Sequence, residues 1–84
     1  MSYSRYTADV VRDGRTVLAG VAVDILDKAG AGTKAWSGII HSGIPPVLFV
    51  NDICVIVYEG NRLDVMINSV SGLVVGFDAL GAPY

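Results

Sequence analysis

Apolar residues in this chain come in short alternating runs, each cut off by a turn former. A period of two belongs to strands, whose successive side chains point to opposite faces of a sheet. Residues 6–11 set Tyr6, Ala8 and Val10 on one face and Thr7, Asp9 and Val11 on the other. Asp13-Gly14 follows, a dipeptide suited to a two-residue hairpin because both central positions tolerate positive φ. Residues 16–18 predict a short strand, Ala19-Gly20 a bulge or bend, and residues 21–26 a strand with Val21, Val23 and Ile25 inward. Ala22, Asp24 and Leu26 then face outward.

Residues 27–33 read as a loop of small residues, and residues 35–40, carrying Trp36, as another strand. The segment from Ser42 to Pro46 is a turn, because Pro45-Pro46 cannot lie inside a sheet. Residues 47–50 form a short apolar run closed by Asn51-Asp52. A hairpin comes next, with residues 53–58 as one arm, Gly60-Asn61 as the two-residue turn and residues 62–68 as the other arm. In that second arm Leu63, Val65 and Ile67 share a face, opposite Arg62, Asp64, Met66 and Asn68. Residues 69–72 turn the chain, residues 73–77 make a last strand, and residues 78–84 form a tail. Short strands at this spacing predict one all-β domain over residues 1–84. We expect a small antiparallel β-sandwich, Ig-like or prealbumin-like, of about seven strands, with a small β-barrel as the alternative.

Composition then raises a question of burial. The 84 residues are 52% hydrophobic and only 17% charged. A domain this small leaves roughly 40% of its unfolded-chain surface exposed, so it should carry more polar residues than it does. The arm at residues 53–58 is apolar on both faces, which suits a central strand or one covered by a neighbouring subunit. The apolar excess is therefore expected to be buried against other protein copies.

Charge excludes some partners. The net charge is −2, and the six cations, Arg5, Arg12, Arg15, Lys28, Lys34 and Arg62, are scattered rather than gathered in a stripe. No nucleic-acid groove is expected, since one needs clustered cations to displace counterions. No membrane partner is expected either. The uncharged stretch at residues 35–51 contains Gly38, Gly43, Pro45 and Pro46 and falls short of a spanning helix. The opening Met-Ser-Tyr-Ser-Arg has no apolar signal core, and a lone cysteine fits synthesis in a reducing cytoplasm.

Few residues offer chemistry. His41, the only histidine, has no Cys or second His near it in sequence and is read as a turn residue before Ser42-Gly43. Cys54 alternates with Ile56 and Tyr58 in an apolar strand, where burial would make it inert. Asp24, Asp27, Asp52, Asp64 and Glu59 lack the spacing of a calcium loop and are read as turn caps and solubilising groups. The segment from Gly30 to Lys34 lacks phosphate-loop spacing and precedes no helix. No catalytic residue, metal site or cofactor is expected.

The run from Val11 to Gly30, with its turn, Ala19-Gly20 step, alternating strand and Asp27, resembles the opening of carboxypeptidase-regulatory-like (prealbumin-like) β-sandwiches. Tyr58-Glu59-Gly60 followed by Leu63-Asp64-Val65-Met66-Ile67 is similar to their late hairpin. The chain departs from that pattern at Thr16-Val17, where a Pro is usual, and at Asn51-Asp52-Ile53, where an Asp-x-x-Gly turn is usual. Much the same pattern is found in small β-domains of tailed-bacteriophage fibres and other virion proteins, and the likeness runs over roughly the whole chain. It implies a structural or binding module without catalytic residues.

The function expected from these readings is a non-enzymatic structural protein of a bacteriophage virion, made in the host cytoplasm. It would decorate or cement the capsid, or belong to the tail or fibre. Its expected partners are copies of itself, a trimer among the candidates, and other virion proteins. The expected interface residues are Trp36, Ile39, Ile40, Ile44, Val47, Phe49, Leu73, Val75 and Tyr84. The alternative is a carbohydrate- or ligand-binding module with Trp36, His41 and Asn51 as its floor.

Overall fold

A computed structural model describes residues 2–27, 36–43, 47–81 and 83–84. Lys28, Lys34, Ile44 and the Pro45-Pro46 turn, all invoked above, lie outside the described residues. The described residues hold six strands and no helix: β1 (Ser2–Arg12), β2 (Arg15–Asp27), β3 (Trp36–His41), β4 (Ile53–Tyr58), β5 (Asn61–Ser71) and β6 (Val74–Ala79). They form a closed antiparallel barrel in the order β1-β2-β3-β6-β5-β4. The all-β expectation holds, and the architecture is the barrel alternative rather than the seven-stranded sandwich. Two three-stranded meanders, β1-β2-β3 and β4-β5-β6, close on each other through the β1–β4 and β3–β6 ladders.

The strand count falls because two stretches that look separate are continuous. Residues 16–18 and 21–26 belong to the one strand β2, interrupted by a bulge at Ala19-Gly20. Gly20 takes a φ of 62° there, and its N–H donates to Asp9 Oδ1 at 2.9 Å. A second register shift lies beside Val17. Bulges of this kind add twist and bend, which a sheet of few strands requires in order to close.

The turns follow from positive φ. Asp13 and Gly14, at 54° and 75°, form the anticipated two-residue turn between paired Arg12 and Arg15. In the β4–β5 hairpin the turn residues are Glu59 and Gly60, at 47° and 77°, and Asn61 pairs with Tyr58. The expected Gly60-Asn61 turn is thus displaced by one residue. With Glu59 in the turn, Cys54, Ile56 and Tyr58 share the interior with Leu63, Val65 and Ile67.

Alternation fills the barrel. Val10, Val23, Ile40, Ile56, Leu63, Val65 and Ile67 are fully buried, and Phe77 and Val75 nearly so. Gly38 faces the core opposite Phe77, whose ring occupies the space a Cβ would need, and the Asp24 carbonyl crowds the same position. Residues 47–52, which lead into β4, lie across one end of the barrel. Residues 47–50 are not a strand; they insert Leu48, fully buried, into the core from that end. Arg12 fastens this crossing by donating to the Val47 carbonyl at 2.7 Å and to Asp52 Oδ2 at 2.9 Å. The same Asp52 oxygen accepts from the Phe49 N–H. Leu48→Ala should destabilise the fold by about 2–5 kcal/mol in urea denaturation, the range for emptying a buried leucine site.

Candidate functional site

Interior and exterior have to be weighed separately as places for a site. Barrel diameter grows with strand number, and even eight strands enclose only side chains or one small ligand. Six strands leave less room, and here the interior is occupied by the core just described. The outer surface carries the polar chemistry and the unburied apolar residues.

The polar feature is a three-strand cluster on the first meander. Arg5 of β1 clamps Asp24 of β2 in a bidentate contact, Nε to Oδ1 at 2.7 Å and Nη2 to Oδ2 at 2.9 Å. His41, the last residue of β3, places Nε2 2.9 Å from Asp24 Oδ2. With its proton on Nε2 the imidazole donates to that carboxylate, and Arg5 Nη2, 3.4 Å away, is then a neighbour rather than a donor. The Arg5 hydrogen bonds, followed by that of His41, hold the Asp24 carboxyl far below the ordinary carboxylate range. His41 is therefore a strand residue with a carboxylate partner, where sequence alone placed it in a turn. The hydroxyl of neighbouring Ser42 donates to the Leu73 carbonyl at 3.0 Å. What the cluster does is lace β1, β2 and β3 together on their solvent side.

Register explains why this cluster was invisible in the sequence. Counted back from the Asp13-Gly14 turn, Arg5 would face Ala22; the two bulges in β2 move Asp24 into that place. Cys54 is core, and burial pushes its thiol up to about 11.

The apolar feature is the outer side of β4. Its inward residues are buried, while Ile53, Val55 and Val57 face out. Val11 of β1 pairs with Val55 and Met66 of β5 with Ile53, which widens the strip across three strands. Asp9 and Arg62 flank Val57, and Asp64 flanks Val55, which gives the strip a charged margin. Phe49 and Val50, in the chain that leads into β4, are 60% and 52% exposed, and Ile53 is 61% exposed.

The expected interface residues are distributed unevenly. Phe49, Leu73 and Tyr84 are exposed, and Ile39 faces outward, half-buried. Trp36 and Val47 pack against the core. Ile40 and Val75 are corrections: they pair across β3 and β6 with side chains inside the barrel, where no partner reaches them. Ile44 lies outside the described residues. Tyr84 is anchored, with its hydroxyl 2.9 Å from Asp64 Oδ1 and its backbone paired with Arg62. Ile53, Val55 and Val57 were not named as interface residues, although the two-sided apolarity of residues 53–58 was the signal for them. The floor proposed for a ligand-binding module does not assemble either. Trp36 and His41 sit at opposite ends of the six-residue β3, about 17 Å apart at strand rise.

Two outcomes follow. Asp24 has a depressed folded pKa, so its contribution is present above about pH 4 and is lost as pH falls toward the folded value. The stability advantage of the native protein over Asp24→Asn, measured by urea denaturation, should shrink as pH is lowered from about 6 to about 2. Cys54 should resist thiol reagents in the native state at mildly alkaline pH and react promptly once the barrel is unfolded.

Comparison with protein-family models, with curated proteins and with solved structures finds no significant match.

Proposed function

We propose that this protein is a non-enzymatic structural module that works by packing the outer face of β4 against a neighbouring copy in a larger protein assembly. The observation that carries this reading is the apolar strip of Ile53, Val55, Val57, Val11 and Met66, which faces outward, Ile53 exposed and the other four half-buried, on a barrel whose core is already complete without it. An apolar centre with Asp9, Arg62 and Asp64 at its margin has the layout of a protein interface, where apolar burial supplies the free energy and charges set orientation. The bacteriophage virion, as a capsid-decorating or tail component, is the assembly that fits the sequence resemblance and the small size of the module.

Solution mass measured by light scattering tests the reading. The native protein should run above its 8.8 kDa monomer mass. Ile53→Glu combined with Val55→Glu should weaken this association on the order of a hundredfold, because each carboxylate would be buried against apolar surface without a partner. An association constant unchanged by the double substitution would remove the β4 face from the interface.

A further inference from the structure

The barrel is closed, but its strands are staggered, and the stagger leaves part of the first hairpin without a second neighbour. β1 pairs with β2 from Ser2 to Ala8, whereas its ladder with β4 begins only at Asp9. On the side away from β2, residues 2–7 have no backbone partner among the described residues. In an antiparallel pair every second residue turns both its N–H and its C=O away from the partner strand. Among the described residues, the overhang therefore presents an open row of donors and acceptors.

Natural proteins guard such edges with prolines, lysines, bulges or charges directed at the edge. β2 has a comparable overhang on its other side, because its ladder with β3 begins at Ala22. That overhang contains both register shifts and the positive-φ Gly20, so it is bent out of reach of a straight strand. Residues 2–7 have none of these guards. Their register from Ser2 to Ala8 is uninterrupted, and the segment Ser-Tyr-Ser-Arg-Tyr-Thr contains neither Pro nor Lys. Its one charge, Arg5, is drawn across β2 onto Asp24 and toward His41, away from the open edge, and is neutralised there.

We propose that the open edge of β1 is a second copy-to-copy contact, in which residues 2–7 of two chains pair antiparallel about a two-fold axis. A strand edge placed antiparallel against its own copy satisfies the requirement of an isologous interface, the same surface supplied by both partners. Because Arg5 is compensated within its own chain, bringing two such edges together opposes no uncompensated charges. Pairing joins β3-β2-β1 of one copy to β1-β2-β3 of the next in a continuous sheet. Exposed Tyr3 adds aromatic area at the seam. Contact along so few residues falls below the roughly 1,200 Å² of a stable interface, so the pairing is weak and governed by concentration. This surface is separate from the β4 face, and the proposal stands whether or not that face is an interface.

The test is amide hydrogen exchange by NMR on the native protein, from micromolar to millimolar concentration. Alternate amides within residues 2–7 should slow severalfold as concentration rises, while their neighbours bonded to β2 stay unchanged. Tyr3→Lys combined with Ser4→Lys, at two exposed positions, should abolish the slowing and leave the melting temperature unaltered. Ile53→Glu with Val55→Glu should leave the slowing intact, which separates this contact from the one on β4. Two results overturn the proposal: fast exchange of those amides at every concentration, or equal protection at every concentration, which would mean the edge is covered within the chain.

Discussion

Everything in this molecule depends on closing two short meanders into one ring, and the narrowest part of that closure is the seam between β1 and β4. Only Asp9, Val10 and Val11 pair across it, with Val57, Ile56 and Val55. The ion pair between Arg12 and Asp52 continues the seam past the ladder, and the bond from Arg12 to the Val47 carbonyl ties in the crossing chain. The seam holds because residues from both meanders meet behind it. Val10 and Ile56, opposite each other, are both fully buried, and Leu48 closes the core from the end. Apolar burial does the work here, and the half-buried Arg12–Asp52 pair fixes where the crossing chain lies.

Much of this was legible in the chain because it is written locally. Alternation at residues 6–11, 21–26 and 62–68 separated inner from outer residues, and Asp13-Gly14 marked a hairpin whose φ requirement few other dipeptides meet. The bulge at Ala19-Gly20 was legible too, though not its effect, which was to fuse two expected strands into one. What escaped the reading is set by distant contacts. Sandwich and barrel differ only in whether β1 meets β4 and β3 meets β6, and no local pattern encodes that choice. Leu48 reads like any apolar residue in a short run, and only the crossing makes it core. Arg5 and Asp24 are partners only after two bulges have shifted the register, and Ile40 and Val75 were named as interface residues without a face being set for either strand, which their ladder now places inside.

The candidate site is therefore a matter of outer surfaces. A six-stranded ring is filled by its own side chains, so the residues left over for contact lie on the outside. The two surfaces that stand out work by different physics. The β4 strip offers apolar area with charges at its margin. The β1 overhang offers backbone donors and acceptors that no described residue takes up. The Arg5–Asp24–His41 cluster contributes to the second indirectly, by withdrawing from the edge the one charge that would guard it. In the arrangement proposed here, the face and the edge both border the β1–β4 seam.

The central claim is that the outward side chains of β4 are covered when the protein associates. Methyl NMR with a soluble paramagnetic probe reads this directly, residue by residue, in dilute and concentrated samples. The account predicts that the methyls of Ile53, Val55 and Val57 are bleached by the probe in the dilute protein and become shielded on concentration, while buried Ile56 and Leu63 are shielded throughout. Equal bleaching of Ile53, Val55 and Val57 at all concentrations, with the protein visibly self-associated, would contradict it.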